Sequence, residues 1–174
     1  MDIYKLNNKR LNSVESVNFE SEKEIQSIVE HNSKELFDLT FVKSEVVCES
    51  FRFDSLCWDE ENNSFVIIEY KNSKSSSVID QGYSYLSTML NNKSDFILEY
   101  IENMDQSLKK ENVDWSQSRV IFVSPSFTEY QKNSVNFRDV PFELWEIQKF
   151  SNGTLGLSQV MSNSKESIKG LEKG

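Results

Sequence analysis

The sequence predicts a single α/β (α+β) domain in which a mixed central sheet is flanked by helices. Three observations predict it. The apolar runs FVII (65–68) and VIFV (120–123) are continuous, as in strands buried on both faces. FELWEIQKF (142–150) alternates apolar and polar residues, as in a half-buried strand. Stretches with helical apolar stripes stand before and between these strands.

In chain order, SEKEIQSIVEHNSKELF (21–37) is the first helix. Its stripe is Ile25, Ile28, Val29 and Leu36, and Ser21 with Glu24 spells a capping box. Three strands follow: FVKSEVVC (41–48), FRFDSLCW (51–58) and SFVIIEYK (64–71). The loop DEENN makes the last two a hairpin. SVIDQGYSYLSTMLNN (77–92) is a helix with Ser77 as N-cap, expected to turn Ile79, Tyr83, Leu86 and Leu90 to the core. SDFILEYIENMDQSLKK (94–110) also reads as helical. SRVIFVSP (118–125) is a buried strand and TEYQKNSVNF (128–137) a short helix. The strand at 142–150 pairs with TLGLSQV (154–160) through the turn SNG. Residues 1–160 are expected to form one domain, and the polar stretch 161–174 a flexible tail.

The 174 residues, 37% hydrophobic and 12% aromatic, suffice for one core. No apolar run approaches the length needed to cross a bilayer, and the N-terminus lacks the apolar segment of a secretory signal. Two cysteines, Cys48 and Cys57, imply no disulfide framework. The expectation is a cytoplasmic, reduced protein without membrane association. A net charge of −9 and the lack of any Lys/Arg run count against unaided coating of nucleic acid. They leave room for a nuclease, whose divalent cations offset acidic ligands, or for a protein partner that supplies the grip on DNA.

The stretch FRFDSLCWDEENNSFVIIEYK carries the chemistry. A hairpin centred between Glu61 and Asn62 sets Trp58 opposite Phe65 and Asp54 opposite Glu69. Strand alternation puts Lys71 on the face of Glu69, with Leu56, Trp58, Phe65 and Ile67. Phe53, Cys57, Val66, Ile68 and Tyr70 take the other face. Two facing carboxylates at the rim of a core repel, and a hard divalent cation such as Mg2+ or Mn2+ relieves the conflict. The backbone carbonyl of Tyr70 adds an oxygen. Lys71 then positions water or stabilises charge developing on phosphate. The alternative is an ordinary strand end with Glu and Lys at its mouth, and a register slip of one residue would separate the acids.

The spacing of Asp54 and E-x-K at Glu69–Tyr70–Lys71 resembles the PD-(D/E)xK nuclease superfamily of the restriction-endonuclease-like fold. The resemblance extends over EKEIQSIVEHNSKELF, the hairpin with the Q-G-Y-x-Y of the next helix, and WSQSRVIFVSPSFTEYQ, roughly residues 19–160. It points to uncharacterised bacterial proteins and to the nuclease domain of archaeal mismatch endonucleases of the NucS type. It implies an αβββαβ core with further C-terminal strands, and a Mg2+- or Mn2+-dependent DNA phosphodiesterase in defence or repair. By the same resemblance Asp54 and Glu69 bind metal, Lys71 is the catalytic lysine, and Gln81 assists from the following helix. A first-helix glutamate joins the metal. Glu22 suits that place, since it shares the stripe of Ile25 and Val29, whereas Glu24 caps and Glu30 is expected in solvent. Arg52, Lys74 and Tyr85 are the expected substrate contacts. A homodimer is also an expectation. Two departures stand out. Phe53 replaces the proline of the superfamily's name, and Asn72 stands where relatives often carry a second basic residue. The thinned basic rim supports another reading, a catalytically weak binding or assembly module within a larger complex. His31, Trp115 and Trp145 are expected to serve as surface and packing residues.

Overall fold

The computed structural model describes residues 1–72 and 77–173. It opens with a hairpin of β1 (Ile3–Asn7) and β2 (Arg10–Val14), then the short β3 (Ser16–Val17). Sequence periodicity did not signal this hairpin, because neither strand alternates between buried and exposed positions. Its turn is Asn8–Lys9, and Asn8 has the left-handed φ of 60° that asparagine tolerates.

The expected first helix is two helices, α1 (Glu22–His31) and α2 (Ser33–Phe37). The break falls at Asn32, whose side-chain amide donates to the Ile28 carbonyl and competes with helix continuation. Ser21 Oγ accepts from the Glu24 N–H, as a capping residue does, while the Glu24 carboxylate reaches back to the Glu20 N–H. Strands β4 (Thr40–Cys48), β5 (Phe51–Asp59) and β6 (Ser64–Tyr70) follow, then helices α3 (Val78–Asn91) and α4 (Lys93–Met104). The chain closes with β7 (Arg119–Ser124), α5 (Glu129–Ser134), β8 (Phe142–Phe150) and β9 (Leu155–Gln159). The αβββαβ order is thus present as α1, β4, β5, β6, α3, β7.

Among the described residues, seven strands form one sheet in the order β3-β8-β7-β6-β5-β4, with β9 against β8. The sheet is mixed. β4, β5 and β6 run antiparallel, while β6, β7 and β8 are parallel. β6 lies inside the sheet and is buried at all seven positions, which is why FVII lacks alternation. One face packs α3 and α4 through Phe53, Leu56, Phe65, Tyr85, Met89 and Phe96. The other packs α1 through Ile25 and Val29 against Val66, Ile68 and Tyr70. Arg119, at the start of β7, holds Asp59 and Glu143 at 2.9 and 2.6 Å. It thereby ties the β5–β6 turn to β8.

Two expectations about faces are corrected. Tyr83 and Leu90 of α3 are 42% and 41% exposed, and the buried positions are Val78, Gly82, Tyr85, Leu86, Thr88 and Met89. The helix is rotated because Gly82, invisible to an apolar count, is buried and seats the ring of Phe142. A Cβ there would stand 2.5 Å from Phe142. Phe53 packs on Tyr85 and Phe96, the same side as Leu56. The alternation of β5 therefore slips between Phe53 and Leu56. Facing this point Glu45 of β4 has a φ of 57°, while Ser44–Ser55 and Val46–Phe53 keep one register across it; the register shift of this ladder lies between Phe41 and Lys43.

The tail is held where it meets 136–139. Ser162 donates to Asn136, the Arg138 N–H donates to the Glu166 carbonyl, and Asp139 accepts from Ser167 and Ile168. No helix of the described residues is long and apolar enough to cross a membrane.

Candidate active site

The β5–β6 hairpin has the register read from the sequence. Trp58 pairs with Phe65, Leu56 with Ile67 and Ser55 with Ile68. Ladder pairing ends there, because β5 turns at Asp54. Instead of a backbone pair, the Asp54 carboxylate accepts a hydrogen bond of 3.1 Å from the Tyr70 N–H. This sets Asp54 beside Glu69, near enough for the two acids to perturb each other's proton affinity.

The back of the sheet holds the turn in place. Gln26 of α1, 6% exposed, donates to the Asp54 carbonyl, Ser44 Oγ and Glu30 Oε1 at 3.0, 3.0 and 2.9 Å. Glu30 accepts from Ser55 Oγ at 2.6 Å, and Ser55 bonds the Tyr70 hydroxyl at 2.8 Å. Glu30 is therefore half-buried and engaged, not solvated as expected. Its placement was illegible in a helical stripe, since its partners come from β5 and α1. The chain of bonds grips both strands directly behind the acids.

Burial, followed by the charge of Asp54, pushes the Glu69 carboxyl up to about 8, against the opposing influence of Lys71. Burial also raises Asp54, partly offset by the Tyr70 N–H. In the absence of a cation the pair therefore holds a proton at neutral pH. The Lys71 ammonium lies 3.8 Å from Glu69 Oε1, with its side chain 13% exposed. Its backbone N–H bonds the Val123 carbonyl at 2.8 Å, which fixes the end of β6 against β7.

Gln81 arrives from the first turn of α3. Its amide donates to Glu69 Oε1 at 3.4 Å and to the Tyr85 hydroxyl at 2.8 Å. Each letter of Q-G-Y-x-Y thus has a separate task. Gln81 faces the acids, Gly82 admits Phe142, Tyr83 packs edge-on to Phe142, and Tyr85 supports Gln81. Tyr85 is 5% exposed, its ring edge-on to Phe51 and Phe53. The expected substrate contact is therefore limited to its hydroxyl.

The remaining expected residues lie further out. Glu22 is exposed, and its Oε1 accepts from the Asn72 N–H at 3.0 Å. Its charge reaches Asp54 and adds to the upward push on that carboxyl. Among the described residues no group of three or more His, Cys, Asp and Glu is gathered closely enough to hold a metal. One of the two Glu22 carboxylate oxygens is engaged by the Asn72 backbone. Arg52 pairs with Glu45 at 2.6 Å. Lys74 lies outside the described residues.

The donor set still suits a small hard cation. It offers two carboxylates that repel each other, and Glu69 Oε2 and Gln81 Oε1 are buried oxygens without a hydrogen-bond partner. Mg2+ is commonly bound through one or two carboxylates with water completing the octahedron.

No family model matches the chain. It is 44% identical over 172 residues to a protein of Haemophilus influenzae described as uncharacterized, covering 98% of this chain and 57% of that protein. The chain thus spans a little over half the length of that relative. Among solved structures, it is similar to EndoMS in a complex with double-stranded DNA (TM-score 0.42, 15% identity, 84% of this chain, 64% of that one). It is also similar to a repair endonuclease from Pyrococcus abyssi (TM-score 0.37, 17% identity, 77% and 60%) and to SfsA of Pyrococcus furiosus in complex with Ca2+ (TM-score 0.42, 12% identity, 91% and 74%). Likeness this distant leaves the functional argument to the site itself.

Proposed function

We propose that the chain is a Mg2+- or Mn2+-dependent phosphodiesterase of the PD-(D/E)xK type acting on DNA. One observation carries the proposal. At the end of a buried strand, two carboxylates are held together at the cost of a raised proton affinity, with a lysine 3.8 Å away. A purely structural site gains nothing from that repulsion. DNA as the substrate class rests on the motif resemblance.

In this reading Asp54 and Glu69 hold the cation, and the backbone carbonyl of Tyr70 is available as a further oxygen. When bound, the cation polarises a phosphoryl oxygen and offsets charge developing on it. The chain's own groups do the rest. The Tyr70 N–H and the Gln26 amide hold Asp54 from both sides of its peptide. Lys71 places a positive charge where the attacking water and the scissile phosphate would meet. Gln81 orients Glu69 through its amide and is itself oriented by Tyr85. Glu22 keeps the Asn72 backbone over the rim of the site.

A second reading, a binding or assembly module with weak or no catalysis, is favoured by the net charge of −9 and by the engagement of Arg52 with Glu45. Incubation with plasmid and single-stranded DNA in Mg2+ or Mn2+ separates the two. The first reading expects cleavage that Asp54→Ala and Lys71→Ala abolish while circular dichroism and Tm show folded protein. Wild-type protein that binds Mn2+ yet never cuts any substrate supports the second.

A further inference from the structure

We infer that the cleft beyond the end of β7 holds one unpaired nucleobase of the strand whose phosphate reaches Asp54 and Glu69. The cleft comes from a gap in the sheet. Along one edge of β8, β7 pairs as far as Glu146 and β3 takes over at Lys149. β9 occupies the opposite edge across that interval. Among the described residues, Ile147 and Gln148 therefore meet no strand on the β7 side. The space left there has a volume of about 480 Å³. It adjoins the acids. The Val123 carbonyl holds the Lys71 N–H at 2.8 Å, and the next residue on each chain segment, Ser124 and Asn72, lines the cleft. Glu22 holds the Asn72 N–H at 3.0 Å, which ties this shared wall to α1.

The lining selects the ligand class. Among the described residues that line the cleft, none is charged. A phosphate calls for cationic donors and a metal ion for carboxylates, and the lining offers neither. Val17, Pro125 and Ile147 give apolar walls, while Asn18, Asn72 and Gln148 bring carboxamides that both donate and accept. Gln148 Oε1 is buried without a hydrogen-bond partner, so its lost hydration is not repaid within the chain. A flat ring with N–H donors and acceptors along its edge suits all of these groups, as when carboxamides read base edges. The space takes one base and excludes a duplex, so the base is unpaired. Assignment to the cleaved strand rests on the phosphodiesterase reading, whereas the binding of a base does not.

Nuclear magnetic resonance titration of the metal-free protein with each of the four deoxynucleosides, and with inorganic phosphate, tests the cleft. At least one nucleoside is expected to shift the signals of Asn72, Ser124 and Gln148, and phosphate none of them. Gln148→Leu, folded by circular dichroism, is expected to weaken that nucleoside about fivefold, the worth of one neutral hydrogen bond. No shifts with any nucleoside, or shifts confined to other residues, overturn the inference. Sequencing the products of a random single-stranded DNA pool cut in Mn2+ tests the strand. A base preference beside the cut that Gln148→Leu flattens supports the assignment. Cuts without a preference, or with one that the variant keeps, overturn it and leave the phosphodiesterase reading intact. Protein that binds the nucleoside in the cleft yet cuts nothing overturns the phosphodiesterase reading and the strand assignment with it, while the base site stands.

Discussion

In the metal-free protein, Glu69→Gln is expected to remove a pH dependence of folding that the Asp54–Glu69 pair imposes. Glu69 goes from an ordinary 4.5 to about 8 in the folded state. The native state therefore holds a proton that the unfolded chain releases. The stability gained from that proton is full below about 4.5 and is lost as pH rises through about 8. At roughly 1.4 kcal/mol per unit, the pair can lose up to about 5 kcal/mol across that window. For a domain of this size 1 kcal/mol corresponds to about 2–4 °C in Tm, so the wild-type Tm should fall by roughly 10 °C or more between about pH 5 and about pH 9. Glutamine is neutral throughout and accepts and donates in the same place, so the variant's Tm should be much flatter. Mn2+ added at the alkaline end should raise the wild-type Tm, because the cation replaces the proton between the two acids, and should act far less on the variant. Scanning calorimetry in a buffer series without and with Mn2+ makes the measurement. Parallel wild-type and variant curves in the metal-free series would refute the reasoning, since the acids would then not be pressed together at all.

Gly82→Ala should destabilise the fold by roughly 1–3 kcal/mol in urea unfolding, because the new methyl collides with the buried ring of Phe142. The helix-propensity gain of about 1 kcal/mol is the smaller effect, so a net stabilisation would show that the ring moves freely. Gln26→Leu removes the amide behind Asp54 and should weaken Mn2+ binding in calorimetric titration by roughly tenfold, within the range found for supporting groups around metal ligands. Unchanged Mn2+ affinity, with only a lower Tm, would reduce Gln26 to a structural role.

Much of this site could be read along the chain. Hairpin register follows from a turn and from period-2 alternation, both local, and it placed Asp54 near Glu69 and Lys71. The Q-G-Y-x-Y signature marked the right helix turn. Its parts were not separable from spacing alone, because Gly82 acts by having no side chain and Phe142 lies far along the sequence. Glu22 and Glu30 show the same limit. A helical stripe ranks them by direction, but their partners, the Asn72 N–H and Ser55, come from other elements.

Beyond the N-terminal hairpin and the break at Asn32, the sequence by itself determined the order of the main elements, the buried central strand and the meeting of two acids with a lysine at its end. Each rests on interactions between residues near in the chain or paired across one short turn. Only the tertiary structure decided that β5 turns at Asp54, that α3 rotates about Gly82, and that Glu22 bonds the Asn72 backbone. Those outcomes depend on packing and hydrogen bonds between elements that no single stretch of sequence contains.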